Sequence, residues 1–226
     1  MFPIKYQELP FGYFDNALPL QRKKRIMKFY KQCVQRHLYV NKGKIFLSKN
    51  PSFTPKIKTL VDFFPDAKII YLARNPLKVL LSEMRWFSSA WQHFCSLKEE
   101  FPYVDKVIKL IKHWYTYPVH YLKKMYKTCY MIIKFQELFA DPEEVIHTIY
   151  SHFSLLLSNG FAHKVKMAAI ESRNHTPTHS ISIEDLGLTK EIVFETFNEI
   201  YEFFGFSKLS YKTPIENNNP EITVPT

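Results

Sequence analysis

Three short apolar runs, each set off by turn residues and followed by a helix-forming stretch, constrain the fold of this chain most. They are Lys44–Ser48, Lys68–Ala73 and Tyr130–Phe135. Strands that alternate with helices indicate an α/β domain whose strands run parallel. The sequence therefore predicts a helix-rich, three-layer α/β fold around a small parallel sheet.

Apolar periodicity and capping residues place the helices between and after these runs. Thr54-Pro55, Asn75-Pro76, Asp141-Pro142 and Thr189 mark helix starts, and Gly205 marks the end of the last helix. We divide the chain into an N-terminal segment and helix over residues 1–43, an α/β domain over 44–206 and a disordered tail over 207–226. The predicted helices cover residues 19–38, 54–64, 76–97, 102–127, 141–157, 160–171 and 189–204.

Composition excludes several classes of protein. Hydrophobic residues are 46% and charged residues 23% of the 226, which argues against global disorder. The sequence has neither a run of 18 apolar residues nor a signal-peptide pattern, so we expect no transmembrane segment. Three cysteines without a C-x-x-C pair favour a reducing compartment and a cytoplasmic location, and no metal site is predicted.

The net charge of +10 favours an anionic partner, although exposed helix faces explain such a charge equally well. Candidate partners are a nucleotide, a nucleic acid, a membrane surface or an acidic substrate. We do not predict nucleic-acid binding, because the sequence carries no nucleic-acid motif and its aromatic residues recur at the spacing of a helical core. Only 5 glycines are present, and none forms a glycine-rich phosphate loop.

The strand Lys68–Ala73 delivers Arg74 to the carboxyl edge of the sheet, where ligands of parallel α/β sheets bind. A helix starts at Pro76, so helical N–H groups lie beside the guanidinium, and Ser82 follows two turns later. This combination suits a phosphate monoester. The alternative is an arginine that pairs with a neighbouring acid.

Residues 64–76, read together with Ser82, closely resemble the 3′-phosphate-binding segment of sulfotransferases. These enzymes take a sulfuryl group from 3′-phosphoadenosine 5′-phosphosulfate. The resemblance implies that Arg74 and Ser82 hold the 3′-phosphate of this nucleotide, and that the fold is the P-loop-NTPase-like sulfotransferase fold.

Three further segments resemble the same family in order and spacing. They are Phe46–Pro51, Ile133–Leu138 with Asp141-Pro142, and His179–Leu188. The resemblance covers about residues 44–206, and it implies that Phe135 borders the adenine.

The sequence departs from the family at the loop that holds the 5′-phosphosulfate, because Ser-Gly-Thr-Thr occurs nowhere in the chain. We therefore expect the first strand of the family's fold and this loop to be missing. The chain is either the C-terminal part of a longer protein, which the intact later segments favour, or a relative that has lost donor activation. A non-catalytic nucleotide- or protein-binding module is the alternative to a sulfotransferase.

An active sulfotransferase would move a sulfuryl group to a hydroxyl or amine of a carbohydrate, lipid, small alcohol or protein. Lys49 is the candidate for stabilising the bridging oxygen, and His179 is the candidate catalytic base, with Glu83 as an alternative. Arg173 could reach a nucleotide phosphate. Each has a simpler interpretation: Lys49 as a solvated lysine, His179 as a surface loop histidine and Arg173 as a surface arginine.

Overall fold

Helices dominate the structure, a computed structural model that describes residues 10–95, 101–172 and 183–207. Two strands, β1 (Ile69–Ala73) and β2 (Tyr130–Lys134), accompany them. The helices are α1 (Phe14–Ala17), α2 (Leu20–Val40), α3 (Ile57–Phe63), α4 (Pro76–Phe94), α5 (Val104–Leu122), α6 (Phe135–Ala140), α7 (Pro142–His152), α8 (Asn159–Ser172), α9 (Lys190–Thr196) and α10 (Asn198–Phe204).

The two strands pair in parallel over five residues, from Ile69 opposite Tyr130 to Ala73 opposite Lys134. Parallel neighbours need a long crossover, and here α4 and α5 lie between them in the chain. The prediction of a helix-rich α/β chain with a small parallel sheet is confirmed.

The two faces of the sheet pack against different helices. Tyr71, Ala73 and Ile132 join the main core with buried residues of α4, α5, α9 and α10. Met131 and Ile133 face the other way and pack against Ile149 of α7 and the following Phe153. Side chains alternate between the two faces along a strand. The five residues of β2 therefore contribute both to the main core and to the cluster with α7.

The predicted strand Lys44–Ser48 is wrong. These residues have no regular structure, and Ile45 and Leu47 are 75% and 85% exposed. The segment runs back along α2, where the Phe46 ring lies 5.2 Å from that of His37. Among the described residues only β2 pairs with β1, so the segment has no neighbouring strand to satisfy its backbone.

Most predicted helices are present, although α5 and α7 end five residues before the predicted positions, and two further predictions differ. Thr54 does not cap a helix: Asn50 caps a 3-10 turn over Pro51–Lys56, and α3 follows at Ile57. The last predicted helix is divided into α9 and α10 at Phe197, whose buried ring packs into the main core. From residue 208 the predicted disordered tail lies outside the described residues, and the three-part division of the chain stays a prediction.

No helix in the described ranges is long and apolar enough to cross a membrane.

Asp15 joins the N-terminal segment to α3 and α5. Its carboxylate accepts hydrogen bonds from the backbone N–H of Lys58 (2.9 Å), from the backbone and hydroxyl of Thr59, and from the hydroxyl of Tyr117 (2.8 Å). It thereby satisfies N–H groups in the first turn of α3, as a capping side chain does. Trp114 adds a second link by donating from Nε1 to the carbonyl of Gly12 (2.8 Å).

We expect Asp15→Ala to lower the free energy of unfolding by about 2–4 kcal/mol, because it removes a charged acceptor shared by three residues. Urea denaturation followed by circular dichroism measures the loss. The control is Asp62→Ala, which removes only the exposed ion pair of Asp62 with Lys58 and should cost about 0.5 kcal/mol. Equal losses in both variants would contradict this role of Asp15.

Candidate functional site

The turn from β1 into α4 is held by Asn75. Its side-chain oxygen accepts from the backbone N–H of Leu77 (3.0 Å), so Asn75 is the N-cap of α4 and Pro76 takes the first helical position. The same oxygen accepts from the buried hydroxyl of Tyr201 (3.0 Å) on α10. The helix start that the sequence predicted at this point is confirmed.

Tyr115 of α5 fixes the backbone of the residue before this cap. Its hydroxyl donates to the carbonyl oxygen of Arg74, and the ring is buried in the main core. Burial raises the pKa of Tyr115 above its usual range, so the hydroxyl keeps its proton and remains a donor. The backbone of Arg74 is therefore anchored while its side chain is exposed.

The guanidinium of Arg74 lies over the ring of Phe135, with Cζ 4.8 Å from the ring centroid. Phe135 directly follows β2, as Arg74 directly follows β1, and the parallel register brings both to one edge of the sheet. Within the described ranges Arg74 forms no ion pair, so the alternative of an acid-paired arginine gains no support there. An exposed guanidinium stacked on an aromatic ring keeps N–H donors for an anion.

Lys134 is a second cation at this edge, opposite Ala73 in the register. Its Nζ lies 3.2 Å from Oε1 of Glu137, and its backbone N–H donates to Oε2 of the same carboxylate (3.0 Å). Glu137 thus partly neutralises Lys134, which leaves Arg74 as the better placed cation for a ligand.

Ser82 and Glu83 lie in the second turn of α4. Ser82 is exposed, and Glu83 is half-buried, which raises the pKa of its carboxyl. Lys49 is exposed in the irregular segment before Asn50. The structure thus brings Arg74 and Phe135 into contact, and it places Ser82 about two helix turns beyond the cap of α4.

Arg173 and His179 lie outside the described residues, so their assigned roles stay predictions. In the described part of the chain no three His, Cys, Asp or Glu side chains form a group that could hold a metal ion. Sequence reasoning missed Tyr115, Tyr201 and Lys134. The first two act through contacts between distant segments, which no local pattern reveals, whereas Lys134 could have been found as a polar residue at the end of a predicted strand.

Because burial raises the pKa of Glu83 above its ordinary value of 4.5, folding favours its protonated form. That stabilisation is present below pH 4.5 and is lost as the pH rises through the pKa of the folded state. We expect Glu83→Gln to be more stable than the wild type at pH 7, with the difference closing as the pH falls below about 4.5. Denaturant titrations across this pH range measure it. The exposed Glu195→Gln serves as control, and the same pH-dependent gain there would refute burial as the cause.

We expect Asn75→Ala to lower the free energy of unfolding by about 2–3 kcal/mol, since it removes the α4 cap and leaves the buried Tyr201 hydroxyl without this acceptor. Asn198 is the matched control, because its side chain donates to Glu202 on the exposed surface of α10 (2.7 Å). Asn198→Ala should cost no more than about 0.5 kcal/mol. Thermal unfolding of both variants tests this, and similar melting temperatures would be inconsistent with it.

Comparison with known proteins adds an independent finding. The sequence profile described as "Sulfotransferase family" matches residues 12–158, well over half of the chain. Among curated proteins, the Omega-hydroxy-beta-dihydromenaquinone-9 sulfotransferases Stf3 of Mycobacterium bovis and Mycobacterium tuberculosis are each 22% identical over 208 residues. The match covers 91% of this chain and 52% of theirs, so the chain spans about half the length of these relatives.

Two solved structures share the fold. Sulfotransferase STF9 from Mycobacterium avium superimposes with a TM-score of 0.61 at 18% identity, covering 70% of this chain and 41% of that one. Sulfotransferase STF1 from Mycobacterium tuberculosis H37Rv gives a TM-score of 0.50 at 23% identity, covering 67% and 38%. The family resemblance read from the Arg74–Ser82 segment is thereby confirmed, and the chain belongs to the sulfotransferase family.

Proposed function

We propose that this chain binds a 3′-phosphorylated adenine nucleotide at the edge formed by Arg74 and Phe135, as part of sulfuryl transfer to a hydroxyl or amine. The observation that carries the proposal is the contact between the exposed Arg74 guanidinium and the Phe135 ring, at the carboxyl ends of two paired strands. Ligands of open α/β sheets bind at this end of the strands.

The two side chains suit the two halves of such a ligand. The Arg74 guanidinium offers several N–H donors in a plane, which matches the oxygens of a phosphate monoester. The half-buried Phe135 ring supplies an apolar edge for the base. The exposed Ser82 hydroxyl adds a donor to the 3′-phosphate in this proposal.

In the complete reaction, the bond between sulfur and the bridging oxygen of 3′-phosphoadenosine 5′-phosphosulfate breaks. A new bond forms from sulfur to the acceptor oxygen or nitrogen, whose proton passes to a base. Lys49 is proposed to neutralise the charge on the bridging oxygen, with His179 as the base and Arg173 on a nucleotide phosphate. The two curated relatives are named for sulfation of a hydroxylated menaquinone. Their names support a hydroxyl acceptor for this chain, and a lipid is one such acceptor.

The second candidate is a nucleotide- or protein-binding module without transfer activity. One sequence feature favours it: no Ser-Gly-Thr-Thr segment is present to hold the 5′-phosphosulfate. The Arg74–Phe135 edge is built from other residues, so a transferase and a nucleotide-binding module both predict binding of the 3′-phosphorylated half of the nucleotide. They differ in whether the sulfuryl end is recognised.

Isothermal titration with adenosine 3′,5′-bisphosphate tests the shared prediction. We expect Arg74→Ala to weaken binding about 10- to 100-fold, since a hydrogen bond to a charged group contributes roughly 1.5–3 kcal/mol. Arg74→Lys should fall between the wild type and the alanine variant, because it keeps the charge but loses the planar fork. Adenosine 5′-monophosphate, which lacks the 3′-phosphate, should bind weakly and be insensitive to Arg74→Ala.

Arg36→Ala is the matched control, because it removes an equally exposed arginine from α2 and should leave nucleotide affinity unchanged. Failure of the folded wild type to bind adenosine 3′,5′-bisphosphate would refute the proposal. A parallel titration with 3′-phosphoadenosine 5′-phosphosulfate separates the two candidates. Tighter binding of this donor supports a transferase, and equal binding of both nucleotides supports the module.

A further inference from the structure

The positive charge of this chain is concentrated in one segment. Between Asp15 and Asp62 the sequence contains no acidic residue, although this stretch holds twelve of the 31 Lys and Arg residues. All 21 acidic residues lie elsewhere, so the rest of the chain has a slight acidic excess. The net charge of +10 is therefore a property of α2 and the residues that follow it, rather than of the whole surface.

Helix α2 divides into a packed side and an outer side. Met27 and Val34 are buried, and Met27 contacts the N-terminal core around Phe14 and Leu60. Lys23 and Lys31 also link α2 to neighbouring segments, because their ammonium groups donate hydrogen bonds to the carbonyl oxygens of Asp15 (2.8 Å) and Phe63 (3.1 Å).

A stripe on the outer side mixes cations with apolar groups. Arg22, Phe29, Arg36 and Val40 recur at spacings of seven, seven and four residues, which aligns them along the helix. Phe29 is 65% and Val40 79% exposed, and both arginines are exposed.

The segment after α2 adds further exposed cations and apolar side chains. It folds back along the helix, with the Phe46 ring against His37 and the Ser48 hydroxyl 3.5 Å from that of Tyr30. The neighbours of Phe46, Ile45 and Leu47, are mostly exposed instead. We call the combined patch the basic–apolar surface, and it consists of Arg22, Phe29, Arg36, Val40, Lys44, Ile45 and Leu47.

We propose that the basic–apolar surface binds the surface of an anionic lipid bilayer. Helices that lie in a membrane interface combine Lys and Arg with exposed aromatic and aliphatic side chains, and both components are present here. The cations match anionic headgroups, and a segment without acidic residues meets no like-charge penalty against them. Phe29, Val40, Ile45 and Leu47 enter the boundary between headgroups and acyl chains.

The aliphatic side chains favour a bilayer over a nucleic acid. Nucleic-acid surfaces that bind single strands present aromatic rings on which bases stack, together with cations for phosphates. Val40, Ile45 and Leu47 cannot stack in this way, and a phosphate backbone offers them no apolar environment. A bilayer accommodates both the charges and the apolar groups, and clustered apolar exposure of this kind marks interaction sites.

Co-sedimentation of the purified chain with vesicles tests the proposal. The chain should bind vesicles of phosphatidylcholine mixed with phosphatidylglycerol and bind pure phosphatidylcholine far more weakly. Arg36→Gln with Lys44→Gln should weaken binding on the order of 10-fold, because each cation near an anionic surface contributes to affinity. Ile45→Ser with Leu47→Ser should weaken it on the order of 10-fold as well, because burial of apolar area is lost.

The matched control is Tyr126→Ser with Leu156→Ser, which removes two apolar side chains that are 85% and 93% exposed outside this surface. It should bind vesicles like the wild type, and so should Arg74→Ala, which keeps this test independent of the nucleotide site. All changed side chains are exposed, and circular dichroism checks that each variant is folded.

Two outcomes would overturn the proposal. Unchanged binding by Ile45→Ser with Leu47→Ser, together with loss of binding by the charge variant, would reduce the effect to unspecific attraction between charges. Tighter binding of a single-stranded oligonucleotide than of anionic vesicles, measured by fluorescence anisotropy, would make the surface a nucleic-acid site instead.

Discussion

The parallel pairing of β1 with β2 is the interaction on which the candidate site depends. The two strands are far apart in the chain, and their register sets residue 73 opposite residue 134. Each strand then delivers its next residues to the same edge, so Arg74 and Phe135 meet there. A shift of the register by one residue would turn every side chain of one strand to the opposite face. Arg74 and Phe135 would then no longer lie side by side.

Helix α5 connects this edge with the rest of the molecule. Tyr115 donates to the carbonyl of Arg74, and the neighbouring Trp114 accepts from the hydroxyl of Tyr71 in β1 through its own carbonyl (3.1 Å). Two residues after Tyr115, Tyr117 donates to Asp15. One stretch of helix therefore holds both the backbone of Arg74 and the N-terminal segment, so the exposed arginine side chain extends from an anchored backbone.

The two proposals use neighbouring parts of the chain in different ways. Lys49, the proposed catalytic cation, follows Leu47 of the basic–apolar surface by two residues. Its segment lies along α2 and outside the two-stranded sheet, and its outward apolar residues make it suited to contact with lipid. The proposed nucleotide edge depends instead on the β-strand pair and on the buried Tyr115 and Tyr201.

The local sequence determined much of the fold. The Asn75-Pro76, Asp141-Pro142 and Thr189 helix starts are set by contacts within three residues, and the structure contains all three caps. The strands β1 and β2 and the family itself could also be predicted, because apolar runs and ordered motifs are visible in the sequence. Capping and periodicity depend on residues close together in the sequence, so they can be read without knowledge of the tertiary structure.

Only the tertiary structure decided which apolar runs pair and which side chains meet. Lys44–Ser48 has the composition of a strand, yet a strand needs a neighbour for its backbone groups, and in the described part of the chain it has none. Tyr115 and Tyr201 support the Arg74–Asn75 turn across 41 and 126 residues of sequence. Such contacts arise from the packing of whole helices, and packing has no signature in the residues around either partner.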